Sequence, residues 1–141
     1  MARIQLQADS TTLVLNGTVC NDFVDGDILT LTPVNPLTSR TRSTRGINIQ
    51  KRSDAYVYDL AFTVPKYSEF DDFMSSQINR NEPVLFAGSV KENYIKDEEE
   101  FINTYTLEDG SITVLPTETK NNTDGNNAML YTIQFNKVVR V

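Results

Sequence analysis

The chain of 141 residues contains no histidine, no tryptophan and one cysteine, Cys20. Without histidine there is no Ser-His-Asp or Cys-His catalysis, no histidine-ligated zinc and no side chain that titrates unaided near neutrality. A lone cysteine cannot close an intramolecular disulfide, so an intracellular setting is expected, with a fold that does not rest on oxidation. Long apolar runs are missing as well: none approaches the roughly 20 residues that span a bilayer. The opening MARIQLQADS has no apolar h-region. The expectation is a soluble chain without a membrane partner or a cleaved export signal. Positive charge is also scarce, with 13 Lys+Arg against 19 Asp+Glu, a formal charge of -6 and a pI near 4.6. That balance argues against a surface built to grip phosphate.

Alternating patterns are what the chain does have. In AYVYDLAFTV, Tyr56, Tyr58, Leu60, Phe62 and Val64 fall on one face. Ala55, Val57, Asp59, Ala61 and Thr63 fall on the other, the period of two that a strand requires. AMLYTIQFNKVVRV repeats the pattern, with Met129, Tyr131, Ile133, Phe135, Val139 and Val141 on one side and Thr132, Gln134, Asn136 and Arg140 on the other. Further strands are expected at STTLVLNGTVC, DILTLTPV, PVLFAGSV, EFINTYTL and SITVLP. Turn signals sit at Asp25 to Asp27, Glu108 to Gly110 and Thr123 to Asn127. About seven strands at this length give one mainly β domain spanning 1-141, a β-sandwich or half-open barrel.

One segment has helical spacing. In KYSEFDDFMSSQINRNEP, Ser68 followed by Asp71 is a capping-box signature, and Glu69, Asp71 and Asp72 place negative charge in the first turn. Phe70, Phe73, Met74 and Ile78 recur at helical spacing, which predicts a single flanking α-helix over about 69-80 with that stripe on the sheet.

The stretch at about 35-53, NPLTSRTRSTRGINIQKRS, reads as a long irregular basic loop. It carries Arg40, Arg42, Arg45, Lys51 and Arg52 and no acid, so the -6 of the whole chain divides into +5 here and -11 elsewhere. Three uses are open to it: contact with an acidic surface on an identical neighbour, contact with nucleic acid phosphates, or solvation without a partner.

Other constellations point to no chemistry. Asp22, Asp25 and Asp27 lack the spacing and bidentate glutamate of a calcium loop, and the run Asp97 to Glu100 reads as a solvated loop or the start of a strand. No glycine-rich phosphate loop is present. Cys20 reads as a small buried thiol, and the sequons at Asn16 and Asn121 are formal matches. No catalytic residue, metal site or cofactor is expected, and the chain does not read as an enzyme.

Several strings together resemble the tail tube proteins of contractile-tailed bacteriophages, which are related to tailocin and type VI secretion tube proteins. They are DF-x-DGD at Asp22 to Asp27, NPLTSRT at Asn35 to Thr41, V-x-KYS at Val64 to Ser68 and PV-x-F-x-GS-x-K at Pro83 to Lys91. The closing LEDGSITVLPTETKNNTDGNNAMLYTIQF is similar too. The resemblance implies hexameric rings that stack into a tube within a sheath, with sheath, baseplate and tail-terminator proteins as partners. It implies a place in the virion tail, assembly in the host cytoplasm, and DNA as a transient cargo. A long loop that reaches the next ring would give Arg40, Arg42, Arg45, Lys51 and Arg52 an inter-ring role. Asp59, Thr63, Gln134 and Asn136 would then be lumen-facing, on a wall too poor in cations to hold phosphate. A tailocin or type VI-like particle, or a nucleic-acid-binding module using the arginine-rich loop, are the alternative expectations.

Overall fold

The computed structural model describes residues 3–23, 29–53, 56–120 and 127–141, with only the backbone described over 7–10. The strands are β1 Ile4–Leu15, β2 Thr18–Cys20, β3 Leu29–Pro33, β4 Thr38–Arg42, β5 Asn48–Arg52 and β6 Tyr58–Pro65. Helix α1, Glu69–Ile78, follows, then β7 Phe86–Lys96, β8 Glu99–Ser111, β9 Thr117–Thr119 and β10 Ala128–Arg140. One sheet runs in the order β2-β1-β7-β8-β10-β6-β3, with β9 on the first residues of β10, and β4 and β5 form a separate pair. The sheet curls on itself: β3 is an edge strand, yet Leu29 and Leu31 line a cavity of about 300 Å³ with Thr11, Val90 and Tyr105 of β1, β7 and β8. α1 touches both β2 and β6 across the opening. The architecture is mainly β, a half-open barrel with one flanking helix.

Alternation decides which face turns inward. Leu60, Phe62 and Val64 of β6 and Tyr131, Ile133 and Phe135 of β10 are buried, together with Leu13, Leu15, Phe86 and Leu107. Burying a large apolar side chain stabilises by about 1.5–3 kcal/mol, so this one cluster sets the curvature. The expected phase of the last strand fails beyond Phe135. Val138 is buried, whereas Val139 is exposed and Val141 is 81% exposed. Asp109, opposite Asn136, takes a left-handed φ of 54°, and the ladder resumes at Lys137 and Glu108 with the faces exchanged. The Glu108 to Gly110 signal is therefore a bend inside β8 and not a turn between strands.

Two glycines permit that bend. A Cβ on Gly110 would stand 2.4 Å from the Phe135 ring, and one on Gly88 would stand 1.7 Å from the Val14 carbonyl oxygen. Only a bare Cα lets the strands approach this closely.

Three other expectations are corrected, and the acidic run at Asp97 to Glu100 holds as an exposed turn that enters a strand at Glu99. STTLVLNGTVC is not one strand, because Asn16 and Gly17 have φ 49° and 84° and turn the chain from β1 into β2. SITVLP is not a strand beyond Ser111, and Val114 and Leu115 are exposed. Asp97 and Glu98, with φ 50° and 69°, form the two-residue turn of the β7–β8 hairpin, in which positive φ at both positions matches the strand twist. The stretch at 35-53 is not irregular: Thr38 to Arg42 pairs with Asn48 to Arg52 in an antiparallel hairpin, because Arg and Thr alternate at strand spacing. The signals at Asp25 to Asp27 and Thr123 to Asn126, the face position of Ala55 and the sequon at Asn121 lie outside the described residues.

Candidate functional site

The helix is fixed to the sheet at its first turn. Ser68 caps it by accepting a hydrogen bond from the Asp71 backbone N–H at 3.3 Å. Asp71 is a residue shorter in reach than the glutamate of a full capping box, and its Oδ2 accepts from the Tyr67 N–H at 2.9 Å. Its other carboxylate oxygen accepts from the Tyr131 hydroxyl of β10. Asp71 is thereby buried at 6% exposure, a charge that amphipathic spacing assigns to the surface. Phe70 and Met74 are buried, and Phe73 and Ile78 pack beside them. Phe62 meets Phe70 edge-on at 5.6 Å and stacks on Tyr131 at 5.7 Å. Burial, and next the bond to Asp71, push the Tyr131 phenol up to about 12.

Cys20 lies apart from this network as a free thiol. Cys20 is buried, and that burial pushes its thiol up to about 11, so it holds almost no thiolate at neutral pH. Among the described residues, no group of three or more His, Cys, Asp or Glu is placed to hold a metal ion. No helix among them is long and apolar enough to cross a membrane.

The distinctive surfaces are instead an appendage, a sheet face and two edges. The β4–β5 hairpin is exposed along both strands. Its register puts Arg40, Arg42 and Arg52 on one face, with Gln50 and Asn48 opposite them. Thr41, Ile49 and Lys51 lie on the other face, and Ile47 follows in the same phase after the turn. Arg45 is in the turn itself, and an Arg52 nitrogen donates to the Tyr56 hydroxyl at 3.1 Å. Among the described residues the ion pairs join Glu118 to Lys66 and Lys120, and the five hairpin cations take part in none. The aliphatic face is the alternation Ile47, Ile49 and Lys51, too short and too exposed to mark a strand among so many cations.

The sheet face opposite the core is rich in hydroxyls. Asp59 and Gln134 are directly opposed on β6 and β10, with the Gln134 amide donating to Asp59 at 3.1 Å. Two rungs further, Thr63 opposes Leu130 on the same face, and Thr30 and Thr32 extend it onto β3. Asn136 is separate from these three, since it lies at the bend and donates to Asp109 at 2.5 Å.

Both edges of the sheet are open. Among the described residues, β2 covers only Leu13 to Leu15 of β1, and neither the rest of that strand's outer edge nor the outer side of β3 has a ladder partner. Beyond the core, the first residues of β1 join β7 and β8 in a three-stranded arm that exposes Ile4, Leu6 and Ile102. Bare edges beside exposed apolar groups are templates for pairing with another chain.

No protein-family model matches the chain, and no curated protein sequence does. Solved structures do match by shape. A chain from the sheath-tube complex of an extracellular contractile injection system, PVC, in its extended state, superposes with a TM-score of 0.63 at 10% identity. The match covers 97% of this chain and 91% of that one. Hcp1 from Flavobacterium johnsoniae has a TM-score of 0.48 at 15% identity, covering 92% and 93% respectively. In fold, then, the chain is similar over nearly its whole length to a chain of a contractile sheath-tube complex, in keeping with the tube-protein resemblance of its sequence.

Proposed function

We propose that the chain is the repeating subunit of the inner tube in a contractile tail-like particle. The observation that carries this reading is the β4–β5 hairpin: it holds five cations, packs no core and finds no ion-pair partner among the described residues. A subunit whose remainder carries -11 supplies that partner when copies meet. The open edges of β1 and β3 support lateral closure, in which neighbouring sheets join through main-chain hydrogen bonds into a ring, six subunits in the family it resembles. Rings then stack head to tail. The hydroxyl-rich face with Asp59, Thr63 and Gln134 is the wall offered to the lumen. Its scarcity of cations lets DNA slide without the counterion release that would hold it. In a particle that carries no genome, a tailocin or secretion device, the same wall would pass a different cargo.

Electron microscopy of the purified protein tests the reading. Rings or tubes with a central hole are expected, and a compact monomer at high concentration would overturn it. Reversing Arg40, Arg42 and Arg45 to Glu should leave rings intact and abolish stacking. Tubes of normal length from that variant would remove the hairpin's charges from the axial contact. The arginine face could also serve a nucleic-acid-binding module, whose affinity in a mobility-shift assay would fall steeply with salt. No shift at low salt rejects that use.

A further inference from the structure

The hairpin's aliphatic face is exposed, and another part of the fold carries an apolar groove. Ile47 is 62% exposed and Ile49 54% exposed, on the face opposite Arg40, Arg42 and Arg52. Neither isoleucine belongs to the core or packs against it. Elsewhere on the subunit, the last turn of α1 and the segments flanking β7 and β8 bound an open groove of about 240 Å³. Ile78, Val84, Ile112 and Leu115 give it an apolar lining, with Leu115 75% exposed, and Glu82 stands at its rim. The last turn of α1 has no basic residue, so the negative end of the helix dipole also faces this site. Arg80, the nearest cation in sequence, turns back to donate to Gln77 at 3.4 Å.

We infer that this groove receives the β4–β5 hairpin of a second copy of the chain. Ile47 and Ile49 enter it, while Lys51 and the turn residue Arg45 approach Glu82 and the helix end. The inference rests on the tube reading above and names its axial contact.

Three observations favour this occupant. First, hairpin and groove belong to different halves of the subunit. The hairpin leaves the β3–β6 ladder where Pro33 opposes Tyr58, at the rung of Phe135. The groove lies on the other side of that rung, between Ser111, opposite Gln134, and the chain leading to Thr117, opposite Leu130. Such a placement makes a heterologous contact, in which each copy gives a hairpin and accepts one, so stacking continues. Second, the five paired residues of each arm, Thr38–Arg42 and Asn48–Arg52, span about 15 Å at ~3.3 Å per residue beyond the chain that leaves β3, which carries Ile47 and Ile49 out to where an adjoining copy can meet them. Third, charge and polarity match together: cations flank the isoleucines on one partner, and an acid and a helix C-terminus flank the apolar lining on the other. The acidic turn at Asp97 and Glu98 is the weaker receptor. β8 runs past the end of β10, at Arg140 opposite Tyr105, so that turn projects from the hairpin's own half of the subunit.

The test is cysteine cross-linking of the full-length protein, with assembly followed in parallel by electron microscopy. Ile49→Cys and Leu115→Cys are placed in separate chains and mixed, and also combined in one chain. The mixture should give a disulfide-linked dimer on oxidation. The double variant should give a ladder of multimers that collapses to monomer with reductant, and Cys20, being buried, should stay out of both. Because both substituted positions are exposed, folding should be unaffected, which circular dichroism checks. As a second measurement, Ile47→Asp with Ile49→Asp should leave rings unchanged and raise the concentration needed for tubes at least about tenfold. If wild-type tubes form while the cysteines do not cross-link and the aspartates have no effect, another surface is the receptor and the inference fails alone. If the wild-type protein forms neither rings nor tubes, the tube reading fails and takes this inference with it.

Discussion

At the scale of single residues, the contact between Asp71 and Tyr131 departs furthest from what local pattern dictates. A carboxylate at the third helical position is ordinarily a solvated partner of the helix dipole. Here it joins the cap, the preceding residue's N–H and a β10 hydroxyl, so three elements depend on one side chain. Removing the hydroxyl leaves a buried carboxylate with one bond fewer, and Tyr131→Phe should destabilise the fold by about 1–3 kcal/mol in urea unfolding. The pH dependence has a definite sign. Tyr131 is raised from the usual 10.0 to about 12, so the stabilisation by its neutral form is fully present below pH 10.0 and is lost as pH climbs to about 12. Cys20, raised from 9.0 to about 11, acts in the same direction from a lower pH. The stability difference between wild type and Tyr131→Phe should therefore be constant up to about pH 10 and shrink above it. A difference that instead stays unchanged between pH 10 and 12 would contradict this origin.

Among the elements, the strands are held by alternation, and the departures from alternation occur where the backbone does something a side-chain count cannot register. β10 keeps its phase for as long as Tyr131, Ile133 and Phe135 face inward, then exchanges faces where Asp109 turns left-handed beside Asn136. β7 shifts register by one residue between Phe86 and Gly88 on the adjacent rungs, so the bend crosses several strands. Gly88 and Gly17 separate two uses of glycine. Gly17 has φ +84° and nothing within 4 Å of its missing Cβ, so Gly17→Ala should cost only about 1 kcal/mol, by conformational strain. Gly88→Ala drives a methyl into the Val14 carbonyl and should cost more than about 3 kcal/mol, displacing β1 from β7. Urea midpoints read both, and equal losses would show that close approach is not what Gly88 serves. The helix stripe was legible beforehand because Phe70, Phe73, Met74 and Ile78 obey one period. The hairpin was not, since a pair of strands exposed on both faces has no hydrophobic alternation strong enough to override the appearance of a polar loop.

Over the whole molecule, the charge division becomes a statement about assembly. In the tube proposed above, lateral joining through strand edges would rest on main-chain hydrogen bonds and exposed apolar groups such as Ile4 and Leu6, which salt scarcely weakens. Axial joining, on the same proposal, would set the hairpin's cations against an acidic neighbour, and at 1 M salt the screening length falls to about 3 Å. Raising salt from about 0.1 M to 1 M should therefore shorten tubes while rings persist in sedimentation and micrographs. Rings that fall apart before tubes do would mean that the two contacts have been exchanged.

The sequence alone determined the class of the protein. The absence of histidine removed most catalytic schemes, the period of two and one stretch of helical spacing set a β architecture with one helix, and the +5 against -11 separated a basic stretch from an acidic remainder. Those properties are local or additive, so they do not depend on which distant segments meet. Only the tertiary structure decided that the basic stretch is a two-faced hairpin, that Asp71 is buried, that SITVLP leaves the sheet and that Ile78, Val84 and Leu115 bound one groove. Each of these depends on which distant segments meet: a strand's phase follows the twist of its partner, and a groove exists only where a helix end and two strand ends converge.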